Sequence, residues 1–190
     1  MAYQNVLFDW DGVFVQTPGI WMESIATAAL EYGMNLTDSQ VRMQAVDFEQ
    51  ALRHGLPERF YKSYSKRVRE LAMPKVVQAP LYDGVSEMLT ELKLNGMKLA
   101  ILSSNWDAVE QVERKGVTHF FEFILSGRDV TKSKPDPEGV LKALVMLRAD
   151  KGNTAFVGDA WTDLRAAANA EVPQYYTILR GTPSSTTLKS

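Results

Sequence analysis

The sequence contains no cysteine among its 190 residues and only two histidines. The absence of cysteine excludes disulfide bonds, thiolate metal sites and cysteine nucleophiles. With 21 basic and 23 acidic residues, the formal net charge is -2. The chain therefore lacks the positive excess that is typical of nucleic-acid-binding proteins, and we expect no nucleic-acid partner.

Long hydrophobic runs are absent as well. The N-terminus has neither the basic region nor the apolar stretch of a signal peptide. No segment approaches the roughly 20 apolar residues that a membrane-spanning helix needs. Together with the missing cysteine, these features predict a cytoplasmic protein without a membrane partner. The length suggests one domain, or one domain that carries a modest insertion. We expect a monomer or a weak homodimer.

Short apolar runs that end in turn residues predict buried strands. These runs cover residues 5–8, 98–102, 123–125, 155–157 and 175–179. Helical periodicity lies between them, over residues 85–92, 140–145 and 164–170. Asp136 is predicted to cap the second of these helices and Thr162 the third. Strands that alternate with helices predict an α/β fold, a Rossmann-like, doubly wound parallel sheet with helices on both faces.

One part of the chain breaks this alternation. From about Pro18 to Pro80 the sequence shows helical periodicity and no convincing strand. The chain thus leaves the sheet after its first strand, forms a small helical unit and then returns. We predict a core of residues 1–17 and 81–190, with an inserted helical unit of residues 18–80.

Two carboxylates directly follow the first predicted strand. Asp9 and Asp11 are two residues apart, which in an extended chain places both on the same side. One can act as a nucleophile and the other as a proton donor if their environments separate their pKa values. Taken alone, the pattern could equally be a solvated Asp-Gly turn, with Gly12 providing the backbone freedom.

Other polar residues follow later strands. Ser103 and Ser104 end the second predicted strand, where hydroxyls and amides can donate to an oxyanion or can simply cap a helix. Lys134 precedes a helix start and could neutralise carboxylate or phosphate charge, or be an exposed loop lysine. Asp159 and Asp163 follow another strand. Carboxylates that converge on one point form an all-oxygen site, which favours Mg²⁺ over Zn²⁺.

The order of these residues resembles the four motifs of the haloacid dehalogenase superfamily. The motifs cover residues 8–13, 101–104, 134–137 and 157–163, so the resemblance spans nearly the whole chain. The helical insertion is similar to the small cap of the phosphoglycolate phosphatase and β-phosphoglucomutase branch. Four motifs in order, each at a predicted strand end or in the loop that follows, form a specific signal.

The resemblance implies a role for each position. Asp9 would attack phosphorus, and Asp11 would protonate the leaving oxygen and then activate water. Ser103 and the Ser104 amide would bind the phosphoryl oxygens, and Lys134 would balance the negative charge. Asp9, Asp159 and the Asp11 carbonyl oxygen would hold Mg²⁺. Asp163 would support that metal site from behind.

The resemblance also leaves alternatives open. The expected activity is hydrolysis of a small phosphorylated metabolite, and Asp11 argues against dehalogenation, because a halide leaves without a proton. A phosphomutase of the β-phosphoglucomutase type uses the same core, and a non-catalytic binding protein is a third possibility. Basic residues in the insertion could bind an anionic group of the substrate, although a solvated helix face is the favoured interpretation. They are Arg53, His54, Arg59, Lys62, Lys66, Arg67 and Arg69.

Overall fold

The computed structural model describes residues 3–46 and 56–177. Five strands form one parallel sheet in the spatial order β3-β2-β1-β4-β5. The strands are β1 (Asn5–Phe8), β2 (Lys98–Leu102), β3 (Phe123–Leu125), β4 (Thr154–Gly158) and β5 (Gln174–Thr177). This arrangement confirms the predicted Rossmann-like α/β fold. The last two residues of the fifth predicted strand, 178 and 179, lie outside the described ranges.

Helices cover both faces of the sheet. The core helices are α4 (Val85–Leu94), α5 (Ala108–Arg114), α6 (Glu138–Leu147) and α7 (Trp161–Asn169). Successive side chains of a strand point to opposite faces, and β1 shows this directly. Val6 and Phe8 pack with residues of α4 and α5, whereas Leu7 packs with α6 and α7. Both faces of β1 are therefore buried, which explains why residues 6–8 are all apolar.

Between β1 and α4, most of the described residues are helical. This segment contains α1 (Pro18–Glu31), α2 (Asp38–Val46) and α3 (Tyr61–Val76), with a short 3₁₀ turn over Glu58–Phe60. These helices have an apolar cluster of their own, in which Ile25 and Ala28 of α1 meet Tyr64 and Val68 of α3. We call residues 18–80 the helical insertion. Residues 47–55, which include Arg53 and His54, lie outside the described ranges.

Two neighbouring chain segments, one leaving the core and one returning to it, connect the insertion to the core. Val15 and Leu81 form an antiparallel bridge. The amide of Gln16 donates to the Pro80 carbonyl oxygen, and the amide of Tyr82 donates to the Phe14 carbonyl oxygen. The outgoing and returning segments therefore pass side by side at the base of the insertion.

Two predicted helix starts are shifted in the structure. Helix α6 begins at Glu138, and the Asp136 carboxylate accepts a hydrogen bond from the Glu138 amide at 3.0 Å. Thr162 lies inside α7 rather than before it, so the prediction that it caps this helix is wrong. Asp163 takes that function, because its Oδ2 accepts from the Ala160 amide at 3.0 Å. Within residues 3–46 and 56–177, no helix combines the length and the apolarity that membrane crossing requires.

Candidate active site

The carboxyl ends of three adjacent strands meet at one edge of the sheet. Asp9 follows β1, Ser103 follows β2, and Asp159 follows β4, and β1 pairs with both of the other strands. Parallel strands have their carboxyl ends on the same side, so residues far apart in sequence gather there. Ligands of open α/β sheets bind at this edge.

Lys134 is at the centre of this group. Its Nζ lies 2.7 Å from Asp9 Oδ1 and 2.6 Å from Asp163 Oδ1, and it donates to the Leu102 carbonyl oxygen at 3.3 Å. The side chain is 7% exposed. Burial disfavours the charged ammonium, but Asp163 and Asp9 outweigh this effect and raise the pKa of Lys134 above its usual value. Lys134 is therefore a fixed positive charge.

Three carboxylates surround this lysine. Asp9, Asp159 and Asp163 each place an oxygen within 4.8 Å of the others. Burial raises the pKa of Asp9 well above its usual range, although Lys134 opposes the shift. Burial and the negative charge of Asp163 raise the pKa of Asp159 to about 6. The site thus holds more negative charge than one lysine balances, and its hard oxygen donors fit a divalent cation such as Mg²⁺.

Glycine is required where the backbone approaches these carboxylates. Gly12 has a φ of 72°, and a Cβ at this position would overlap the Asp159 carboxylate. A Cβ at Gly158 would similarly meet the side chain of Asp163. The first turn after β1 and the end of β4 can therefore come close together only without side chains at these two positions.

Asp163 connects the charged centre to the backbone. Its Oδ2 accepts from the amides of Asp159 and Ala160, at 3.2 and 3.0 Å, while Oδ1 faces Lys134. The side chain is almost completely buried. These contacts fix the start of the loop that carries Asp159. The predicted support of a metal site by Asp163 stays a prediction.

Asp11 is held by two residues that the sequence analysis did not single out. Thr17 Oγ1 donates to Asp11 Oδ1 at 2.7 Å, and Asn105 Nδ2 donates to Asp11 Oδ2 at 3.1 Å. Thr17 is fully buried. Its position beside the first motif was visible in the sequence. By contrast, no pattern in the sequence indicates that Asn105 pairs with Asp11, which is 94 positions away.

The two serines occupy different environments. Ser103 is buried, and its hydroxyl oxygen accepts from the Asn105 amide at 3.0 Å. The Ser103 amide donates to the Leu125 carbonyl oxygen on the neighbouring strand at 2.9 Å. Ser104 is exposed. The Ser103 hydroxyl can still donate its own proton to a bound anion, whereas its amide is already engaged in the sheet.

Several basic residues of the helical insertion form ion pairs on its surface. Arg67 pairs with Glu31 through two hydrogen bonds of 2.6 and 2.8 Å, and Lys66 pairs with Glu70. The guanidinium of Arg59 lies over the ring of Phe60. These contacts agree with the interpretation of a solvated helix face. Arg69 differs, because its partner Asp107 belongs to the core.

Comparison with known proteins identifies relatives along nearly the whole chain. The sequence model for haloacid dehalogenase-like hydrolases matches residues 6–176. A protein of Dickeya dadantii named "Probable phosphatase IndB" is 32% identical over 179 residues, which cover 87% of this chain and 76% of the relative. A phosphorylated carbohydrates phosphatase of Thermotoga maritima is 25% identical, with 93% of this chain and 85% of the relative aligned.

Solved structures show the same architecture. A haloacid dehalogenase-like hydrolase of Bacteroides fragilis superposes with a TM-score of 0.84, over 96% of this chain and 90% of the other. The two sequences are 23% identical. At this identity the superposition supports the fold, and the chemistry must be argued from the residues of the site.

Proposed function

Because this chain belongs to the family of haloacid dehalogenase-like hydrolases, we propose that it is a Mg²⁺-dependent phosphatase of small phosphomonoesters that works through an aspartyl phosphate on Asp9. One observation carries the proposal. The buried Lys134 binds one oxygen of Asp9. The second carboxyl group, on Asp11 two residues later, is bound by Thr17 and Asn105 instead. These residues would supply a nucleophile, a balancing positive charge and a proton donor at one sheet edge.

Asp9 is suited to act as the nucleophile. Lys134 binds its Oδ1 at 2.7 Å, so Oδ2 is the oxygen that would attack phosphorus. The new bond joins Asp9 Oδ2 to phosphorus while the bond from phosphorus to the ester oxygen breaks. Lys134 opposes the effect of burial, which raises the pKa of Asp9, and its positive charge would offset the charge of the incoming phosphoryl group.

Asp11 is suited to move protons in both halves of the reaction. It would protonate the departing ester oxygen and then, as a carboxylate, take a proton from the water that attacks the aspartyl phosphate. Thr17 and Asn105 hold one oxygen each. The Asp11 carboxyl group is therefore independent of Lys134, which engages Asp9 and Asp163 instead.

The donor set of the site fits Mg²⁺. Asp9 and Asp159 would hold it together with the main-chain carbonyl oxygen of Asp11, and Asp163 would support Asp159 from behind. Bound Mg²⁺ would offset the charge of the carboxylates and of the phosphoryl oxygens. The Ser103 hydroxyl would donate to a phosphoryl oxygen, and the neighbouring amide of Ser104 would assist.

The helical insertion would act as a cap over this site. It leaves the core shortly after β1, the strand that Asp9 follows. The outgoing and returning chain segments are hydrogen-bonded to each other at the base of the insertion. A closed cap excludes water from the reacting group and restricts substrates to small molecules. The names of the relatives, a phosphatase and a phosphorylated carbohydrates phosphatase, favour a small phosphorylated metabolite.

A phosphate-release screen tests this function directly. The protein is assayed against sugar phosphates, short phosphorylated acids, nucleotides and 4-nitrophenyl phosphate, with Mg²⁺ or with a chelator. We expect release of phosphate from at least one small ester with Mg²⁺ and a loss of activity in chelator. Isomerised sugar phosphate without phosphate release would indicate a mutase, and inactivity on every ester would favour a non-catalytic protein.

A further inference from the structure

Asn105, three residues after the end of β2, makes hydrogen bonds through both its backbone and its side chain. Its amide donates to Ser103 Oγ at 3.0 Å, and its carbonyl oxygen accepts from the Gly127 amide at 3.2 Å. Its side-chain Oδ1 accepts from the Asp107 amide at 3.0 Å. That last bond defines the orientation of the Asn105 side chain. The Asp107 amide is a donor, so it must face the side-chain oxygen of Asn105 and not the NH₂ group. The Asn105 NH₂ group consequently points at Asp11.

Asp107 extends this arrangement to the helical insertion. Its Oδ2 lies 3.1 Å from a guanidinium nitrogen of Arg69 in α3, and its Oδ1 lies 2.6 Å from Arg128 in the core. Asp107 thus binds Asn105 through its backbone and the insertion through its side chain. The Arg69 side chain is 50% exposed, so this ion pair is weak and can open and close readily.

We propose that Asn105 is a positioning residue for the Asp11 carboxyl group, and that Asp107 and Arg69 make this positioning depend on the contact between helical insertion and core. The inference rests on the proposed phosphatase function. Asn105 does not touch the reacting atoms. It acts by holding Asp11, together with Thr17, in one orientation.

The physical reason lies in the geometry of proton transfer. A carboxyl group that delivers a proton must keep its oxygen within hydrogen-bond reach of the leaving oxygen. Because each carboxylate oxygen of Asp11 accepts from a different donor, rotation about both χ1 and χ2 of this side chain is restricted. Without the Asn105 donor, Thr17 still binds Oδ1, but Oδ2 is free to turn away. The defect should therefore concern proton delivery and leave the attack by Asp9 intact.

Leaving-group dependence provides the test. We expect Asn105→Ala to lower kcat/KM roughly 10- to 100-fold for the best alkyl phosphate found in the screen, which is part of the roughly 10²- to 10⁴-fold that general acid–base catalysis contributes. For 4-nitrophenyl phosphate, whose leaving group departs as a stable anion, we expect a loss of at most about 3-fold by the same reasoning. Asn95→Ala is the matched control, because Asn95 donates to the Glu91 carbonyl oxygen on a distant helix. An equal loss on both esters would overturn the proposal.

A second variant covers the case in which alanine disturbs the loop. Asn105→Asp keeps the shape and the Oδ1 acceptor for the Asp107 amide, and it removes the donor toward Asp11. We expect the same selective loss on the alkyl ester. Crystal structures of both variants supply a readout independent of activity, and Asp11 should be rotated or present in several conformers. An unchanged Asp11 orientation in both would contradict the inference, even if the wild type proves inactive on phosphomonoesters.

The connection to the insertion is tested at Arg69. Arg69→Met removes the ion pair with Asp107, and Lys66→Met, on the same helix, is the control because Lys66 pairs with Glu70. We expect Arg69→Met to lower kcat/KM for the alkyl ester several-fold and to spare 4-nitrophenyl phosphate, in keeping with a weak exposed ion pair. Identical behaviour of the two variants would refute the connection to the insertion.

Discussion

The buried site at the sheet edge of the core and the surface of the helical insertion hold their charged side chains in opposite ways. In the core, Lys134, Asp9 and Asp163 are each less than 10% exposed by side chain and contact one another. In the insertion, Arg67 and Glu31 pair at 38% and 39% exposure. Distances are similar in both places, 2.6 to 2.7 Å for the best contacts. Burial, not distance, separates the two regions.

This difference determines what each ion pair contributes. A buried charge has lost its hydration. Removing its partner leaves an uncompensated charge in a low-dielectric environment, which is strongly destabilising. An exposed pair competes with water and salt and contributes little. We therefore expect substitutions at the sheet edge to change activity and stability strongly, and substitutions on the face of the insertion to change little.

The largest effect is expected for Asp9→Asn. An amide cannot attack phosphorus, so kcat/KM should fall by at least about 10³-fold, as for other removed nucleophiles. Intact-protein mass spectrometry should also detect no phosphorylated protein. Asp150→Asn is the control, because Asp150 is exposed and lies before β4, at the opposite edge of the sheet. If Asp9→Asn retains substantial turnover, the covalent route through Asp9 is wrong.

Lys134→Met should lower both activity and stability. It removes the charge between two buried carboxylates, and at pH 7 in chelator the free energy of unfolding should fall by about 3 kcal/mol. Urea denaturation measures this change, with Lys132→Met as the control from the same loop, since Lys132 is 72% exposed. A stability equal to that of the control would mean that the buried cluster tolerates its own negative charge.

Tyr64→Phe tests a buried hydrogen bond within the insertion. The Tyr64 hydroxyl donates to Gln44 Oε1 at 2.9 Å, and its loss leaves that buried oxygen without this partner. We expect a destabilisation of about 1 kcal/mol at pH 7, measured by urea unfolding. Tyr61→Phe on the same helix is the control. A change as large as that of Lys134→Met would erase the contrast between core and insertion.

The same pair of proteins gives a pH dependence. Burial raises the pKa of Tyr64 from 10.0 to about 12. A folded-state pKa above the unfolded value means that this contribution is fully present below pH 10 and is lost as the pH rises toward 12. The stability difference between wild type and Tyr64→Phe should therefore narrow above pH 10. A difference that widens there would contradict the assigned burial of the hydroxyl.

The smallest effect is expected for Arg67→Met. The pair with Glu31 connects α1 and α3 across the surface of the insertion. Because both groups are exposed, the thermal unfolding temperature should change by little more than the error of the measurement, and less in high salt. Glu31→Gln should behave in the same way. A loss of several degrees would show that this exposed pair contributes substantially to stability, against the expectation from its exposure.

Much of the core could be predicted from the sequence. Three strands have the predicted bounds, at residues 5–8, 98–102 and 123–125. Their apolar runs are unambiguous because both faces of the sheet are buried. Helix starts were less predictable. Thr162 has the residue type of a cap, but the Asp163 carboxylate reaches the free backbone amides instead.

The sequence by itself determined that Asp9, Asp11 and Asp159 closely follow strands, and that Lys134 lies in the loop between β3 and α6. Tertiary structure decided their partners. It paired Lys134 with Asp163 as well as Asp9, and it brought Asn105 to Asp11 across 94 residues. Local patterns identify a strand end because a buried strand is a short apolar run that stops at turn residues. They cannot identify a side-chain partner in another loop, since that contact depends on the register of the strands and on the paths of the loops between them.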